Sequence, residues 1–292
     1  MTPSHVPVML DEVLRFLEPE QGGRFLDGTL GLGGHAEAIL RASRPEGRLL
    51  GIERDPRNLE VAAKRLEPFG DRAVLVRDTY ANAKQQAETN RFVGLTGILL
   101  DLGFSSAHIE DAARGFAFSK PGPLDMRYDQ SQDLSAAVIV NGWPKEDLAE
   151  IFRQYGEEPR AARIADAIIA ARRKERILTT TQLADLVAGA IGRHGSTHPA
   201  TRVFQALRIA VNDELGELTR ALPELVSLLA PNGRIVIISF QSLEDRIVKQ
   251  FFKQQEGVTL ETLTKKVVVP TDAEAEANPR ARSAKLRVAR RL

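Results

Sequence analysis

The sequence predicts an α/β protein: a doubly wound parallel sheet interrupted by a helical insertion. Short apolar runs alternate with helix-patterned stretches through the first hundred residues, the pattern of a parallel sheet. A further run of the same kind returns only after a gap of about 130 residues, longer than one crossover helix needs. The text within that gap is charged and helical in period.

In chain order, 24–27, 48–53, 73–76 and 97–101 read as buried strands, with helices at 36–42 and 58–66 between them. Segments 145–154, 160–174 and 181–191 are patterned as helices, which places a helical subdomain at 106–199 and leaves 1–105 and 200–292 to the sheet domain. From 201 to 222, Phe204, Leu207, Val211, Leu215, Leu218 and Leu222 recur every three or four residues, a one-sided stripe expected to cover a sheet face. Asn232-Gly233 turns the chain into a strand at 234–240. Ser242 with Asp245 has the pattern of a capping box for a helix running to about 254. A Val-rich strand near Val267, an acidic spacer and a basic end follow.

Of 292 residues, 43% are hydrophobic and 27% charged, which suits a folded chain rather than a disordered one. Forty Lys and Arg against 39 Asp and Glu give net +1, so any affinity for nucleic acid must come from local clusters. No apolar run approaches the roughly 18 residues of a bilayer span. The first ten residues lack the pattern of a signal peptide, so no membrane association and a cytoplasmic location are expected. The chain has no cysteine, which excludes disulfides, thiolate metal sites and a cysteine nucleophile. His194 and His198 are four apart, but Gly195, Ser196 and Pro199 make that stretch a loop, and no metal site is expected.

Two clusters carry chemistry. In the first, Asp27-Gly28-Thr29-Leu30-Gly31-Leu32-Gly33-Gly34-His35-Ala36 follows a strand and opens a helix, and Glu53 closes the next strand. Glycines there let backbone N–H groups approach a ligand, and the acid can accept both hydroxyls of a ribose, so a nucleoside-containing cofactor is implied. Gly31-x-Gly33-x-x-Ala36 also fits a dinucleotide. Asp27 shifts the balance, because a carboxylate ahead of the glycines repels a pyrophosphate but suits the cationic amino-acid end of S-adenosylmethionine. In the second, an apolar strand ends in Asp101-Leu102-Gly103-Phe104-Ser105-Ser106, which directs Asp101 to the same crevice as Gly33 and Glu53. Within the acid-free 278–292, Arg280, Arg282, Lys285, Arg287, Arg290 and Arg291 are candidates for phosphate contact, Arg280, Arg282 and Arg287 foremost.

With Arg114-Gly115-Phe116, Gly122-Pro123-Leu124-Asp125-Met126-Arg127, Ala200-Thr201-Arg202, Glu214-Leu215, Ser242 to Arg246, Asn278 to Ser283 and His5-Val6-Pro7-Val8 added, the chain resembles the S-adenosylmethionine-dependent ribosomal RNA small subunit methyltransferase H family, also called MraW, over essentially its whole length. The resemblance implies a class I, Rossmann-like methyltransferase sheet with a helical insertion for substrate recognition. It also implies methyl transfer to the exocyclic N4 of a decoding-centre, P-site cytidine in 16S rRNA of the 30S subunit. It carries the cofactor contacts to Gly33, Gly34, His35, Glu53, Tyr80, Asp101 and His108. Here Glu53 replaces a frequent Asp, Tyr80 a frequent Phe and His108 a frequent Gln. Gln241 stands where the family has His, removing a titratable group.

The chemistry agrees with the residues. Methylation of cytosine C5 uses a cysteine, which this chain lacks, whereas an exocyclic amine needs only alignment with the methyl group and acceptors for its hydrogens. Asp101 is the candidate acceptor, with Ser105 and Ser106 holding an unstacked base. A nicotinamide-dependent dehydrogenase and a non-catalytic RNA-binding assembly factor are the rival classes.

Overall fold

The computed structural model describes residues 7–192 and 198–292. Helix α1 (Leu10–Leu17) precedes β1 (Arg24–Asp27), α2 (Gly34–Ala42), β2 (Arg48–Glu53), α3 (Pro56–Leu66), β3 (Ala73–Arg77), α4 (Ala83–Thr89) and β4 (Leu95–Asp101). A run of helices comes next: α5 (Ser106–Glu110), α6 (Ala136–Gly142), α7 (Lys145–Gln154), α8 (Ala161–Arg172), α9 (Thr180–Ile191) and α10 (Ala200–Asn212). The chain then forms α11 (Glu214–Leu228), β5 (Leu229–Ser239), α12 (Ser242–Gln255), β6 (Leu260–Thr262), α13 (Asp272–Ala277) and β7 (Lys285–Arg291). It divides into two units, one up to Phe104 with Leu215–Leu292, the other Ser105–Glu214.

In the first unit the seven strands are ordered β3-β2-β1-β4-β5-β7-β6. The pairs from β3 to β5 are parallel, and β7 runs antiparallel to both β5 and β6. This is the α/β class expected. The strands are apolar on both faces. Phe25, Leu49 and Leu99 join Ile39 and Leu40 of α2 and Leu66 of α3 on one side. Leu26, Leu50, Ile52 and Leu100 join Leu218, Leu222 and Leu225 of α11 and Phe252 of α12 on the other. Leu100 is fully buried, and its truncation to Ala costs about 2–5 kcal/mol. Strand order reverses between β1 and β4, so a crevice for ligands opens beyond their C-terminal ends.

The second unit has its own core, in which Phe152, Ile164, Leu183, Phe204 and Leu207 pack together. Here one expectation is corrected. The stripe from Phe204 to Leu222 does not cover the sheet as a single surface. Asp213, at φ 50°, ends α10, whose Phe204, Leu207 and Val211 pack with α6, α7 and α9, while Leu218 and Leu222 of α11 reach the sheet. The helical unit therefore extends to Glu214 rather than ending at 199.

Three smaller differences concern the C-terminal third. Strand β5 begins at Leu229, not 234, because an irregularity in its pairing with β4 absorbs Asn232 at φ 66°. At the start of α12 it is Glu244, one position before Asp245, that reaches back, its Oε2 accepting from Phe240 N at 3.0 Å and Gln241 N at 3.2 Å. The stretch near Val267 forms only a bridge between Val268 and Leu286.

Candidate functional site

The crevice is framed by the turn from β1 into α2. Asp27 ends β1 buried, and its Oδ1 accepts a hydrogen bond from Thr29 N at 3.1 Å. Gly28 N donates to Leu99 O at 3.0 Å and Leu30 N to Ile52 O at 3.0 Å, which lays the loop across the ends of β4 and β2. Two positions need glycine. A Cβ on Gly28 would lie 2.5 Å from the Leu100 side chain, and Gly33 caps α2 at φ 80°, where side chains are strained. No side chain caps α2, so its first N–H groups and dipole suit an anionic group.

Glu53 ends β2 with both oxygens engaged, Oε2 accepting from Gly31 N and Oε1 from Asp55 N, each at 2.7 Å. Each oxygen keeps a lone pair with which to accept a ribose hydroxyl. Burial pushes the Glu53 carboxyl up to about 8, against the pull of those N–H groups. Burial likewise raises Asp27 to about 6, with His35 opposing and Asp101 adding to the rise.

Asp101 ends β4, and its backbone N donates to Thr29 Oγ1 at 2.6 Å, which binds the glycine loop to the neighbouring strand. His35 Nε2 lies 3.6 Å from Asp101 Oδ2. Both ring nitrogens of His35 and Asp101 Oδ1 are buried with no hydrogen-bond partner among the described residues. An unsatisfied buried polar group costs about 1–3 kcal/mol. Three such atoms on two neighbouring residues, at the crevice where strand order reverses, fit a site that a polar ligand completes. Tyr80 joins them: it opens the 3₁₀ turn Tyr80–Asn82, and its Cβ lies close enough that a Cβ on Gly28 would meet it at 3.0 Å. The first unit thus brings Gly33, Gly34, His35, Glu53, Tyr80 and Asp101 to one edge of the sheet.

Ser105 and His108 belong to the second unit, Ser105 Oγ lying 3.4 Å from His108 Nδ1. The buried His108 ring stacks on Phe116 at 4.8 Å and tilts against Tyr128 at 5.1 Å. Ser106 opens α5, and its side chain lies outside the described residues, as do His5, Val6 and His194. His198 tilts against Phe118 at 4.7 Å.

The basic C-terminus is corrected. Arg287 is committed to Asp245 through two hydrogen bonds of 2.6 and 3.2 Å, and Arg290 pairs with Glu261. Arg291 donates to the carbonyl of Ser227 and also to that of Leu229. These three brace the sheet. Arg280 and Arg282 are exposed on the turn Pro279–Ser283. Lys285 opens β7 opposite Ser239 of β5, so that turn lies at the same edge of the sheet as Asp101, whereas Arg290 and Arg291 lie toward the other.

Sequence reasoning missed two residues that hold the frame. Thr29 joins Asp27 to Asp101, as described. Glu217 on α11 accepts from Arg54 Nη1 at 3.1 Å and from Thr79 Oγ1 at 2.8 Å. The only signal in the sequence for Glu217 is an acid directly before Leu218 of the apolar stripe.

The sequence profile of the MraW methylase family matches residues 2–292. Ribosomal RNA small subunit methyltransferase H of Thermomicrobium roseum is 47% identical over 309 residues, covering 100% of this chain and 95% of that protein. The protein of the same name from Thermobifida fusca is 48% identical over 310 residues, covering 99% and 94%. Among solved structures, an rRNA methylase from Streptococcus thermophilus matches 97% of this chain and 93% of its own, at 10% identity and a TM-score of 0.47.

Proposed function

The chain belongs to the MraW methylase family, and we propose that it methylates the exocyclic N4 of a decoding-centre, P-site cytidine in 16S rRNA, with S-adenosylmethionine as donor and the 30S subunit as the setting. The observation that carries this reading is the set of unsatisfied buried atoms on His35 and Asp101, beside the glycine turn and Glu53.

When bound, S-adenosylmethionine supplies a methyl group on a sulfonium sulfur, which leaves with the bonding electron pair. Glu53 would accept the two ribose hydroxyls, and Tyr80 would help to hold the adenine. The N-terminus of α2, with Gly33, Gly34 and His35, receives the carboxylate of the amino-acid end, and Asp27 favours its ammonium. Asp101 Oδ1 would accept a hydrogen bond from the target amine, whose nitrogen becomes cationic as its bond to the methyl carbon forms and the carbon–sulfur bond breaks, the surplus N–H proton then passing to solvent. A fixed acceptor that needs no reorganisation stabilises that charge most strongly in the transition state. The helical unit, with Ser105 and Ser106 at its start, is assigned to substrate recognition, His108 to the cofactor, and Arg280 and Arg282 to backbone phosphates.

The test is transfer of labelled methyl from S-adenosylmethionine to 30S subunits that lack the modification. Label is expected in 16S rRNA cytidine. Affinity for rRNA without transfer favours the assembly-factor reading, and affinity for NADH over S-adenosylmethionine favours a dehydrogenase.

A further inference from the structure

The two loops that carry the adenosine half of the crevice are held by one carboxylate from a distant part of the chain. Arg54 directly follows Glu53, and Thr79 directly precedes Tyr80. Glu217 takes one with each oxygen: Oε1 accepts from Arg54 Nη1 at 3.1 Å, and Oε2 from Thr79 Oγ1 at 2.8 Å. Its side chain is only 13% exposed, on a helix whose neighbouring Leu218, Ala221 and Leu222 are packed against the sheet. A carboxylate so placed is desolvated at a cost and has no packing role that an apolar residue would not fill better.

The grip on Thr79 acts on backbone geometry, and the grip on Arg54 fixes the side chain next to Glu53. Thr79 Oγ1 also accepts from Ala81 N at 3.3 Å and so caps the turn that begins with Tyr80. Asp78 N donates to Glu53 O at 3.2 Å, so the ends of β2 and β3 are already joined below the grip. Above that joint, the separation between the ribose acceptor and the Tyr80 ring depends on what Arg54 and Thr79 are fastened to. The rigid helix α11 supplies the fastening.

The geometry points to Glu217 as a positioning residue, which sets the spacing of Glu53 and Tyr80 and thereby the affinity for the adenosine moiety, without touching it. This rests on the cofactor reading given above. The effect is therefore expected on KM for the cofactor rather than on kcat, and equally on every ligand that contains adenosine.

The test is calorimetric titration of the full chain with S-adenosylhomocysteine and with adenosine, for the wild type and for Glu217→Ala, Glu217→Gln and Thr79→Val. Glu217→Ala is expected to raise both dissociation constants by the same factor, about tenfold, the scale of one hydrogen bond to a charged group, at unchanged stoichiometry. Glu217→Gln keeps an acceptor for Thr79 but offers no charge to Arg54, and falls between. Thr79→Val reports on the second grip should Glu217→Ala fail to fold. Unchanged dissociation constants in folded variants that merely melt earlier overturn the inference, as does a fall in kcat with KM unmoved. A wild type that binds neither ligand removes the cofactor reading itself, a result distinct from binding that the substitutions leave untouched.

Discussion

Glu53→Ala is expected to abolish a proton that the protein releases on binding its cofactor. In the free protein burial pushes this carboxyl from 4.5 up to about 8, so at pH 7 it is largely protonated. Accepting two ribose hydroxyls requires the carboxylate, so binding at pH 7 releases close to one proton. Affinity then climbs by up to about tenfold per pH unit until pH reaches about 8, where it levels. Asp27, raised to about 6, steepens the rise below that value if it too must ionise to meet a cationic ligand.

The effect on folding has the opposite sign. Between pH 4.5 and about 8 the native state holds a proton that the unfolded chain has lost. The stability contributed by this group is fully present below 4.5 and is lost as pH rises through about 8. The assay is calorimetry with S-adenosylhomocysteine at pH 7 and pH 9, in buffers of different ionisation enthalpy. Proton release should be near one at pH 7, small at pH 9, and absent from Glu53→Ala, whose affinity falls by about 1.5–3 kcal/mol. A wild type that releases no proton at pH 7, or a variant that still releases it, refutes the reasoning.

Four further outcomes follow from the same geometry. Gly33→Val should fold by circular dichroism yet show no cofactor binding by calorimetry, because a β-branched residue is strained at φ 80° and its Cβ would lie 3.3 Å from that of Ala62. Asp101→Asn should slow single-turnover methyl transfer at saturating cofactor more than it weakens cofactor binding; lost affinity with an intact rate would make Asp101 a binding residue only. Replacing Arg280 and Arg282 by Gln should flatten the salt dependence of 30S binding by roughly 0.7–0.9 log unit per lost phosphate contact. Arg287→Gln should instead lower Tm by a few degrees, because the largely buried Asp245 loses its two-hydrogen-bond partner and keeps only Lys285 Nζ at 3.8 Å, and should leave the salt slope intact.

Much of the sheet was legible because its strands are buried on both faces and stand out as short apolar runs. The expected strands 24–27 and 48–53 coincide with β1 and β2, and 73–76 and 97–101 fall within β3 and β4. The glycine turn and Glu53 were legible because a strand-to-helix turn of that composition has few uses. Other features depend on which surface a residue meets. Periodicity shows that Phe204 and Leu218 both face a core, but not that the two cores differ. Arg287 looks free along the chain because its acid, Asp245, is 42 residues away. Glu217 looks like one more solvated charge because Arg54 and Thr79 lie 163 and 138 residues from it. The buried atoms of His35 and Asp101 carry no signal along the chain, because only the fold buries the two ring nitrogens and Asp101 Oδ1 without a hydrogen bond among the described residues.

The most direct test of the account is mass spectrometry of 16S rRNA nucleosides from 30S subunits, isolated without the modification and incubated with S-adenosylmethionine, with and without this protein. One cytidine at the decoding centre is expected to gain a single methyl group on N4, only when the protein is present, and more slowly with Asp101→Asn. A methyl group on C5 of that base, or on another nucleoside, or no gain of mass at all, would contradict it.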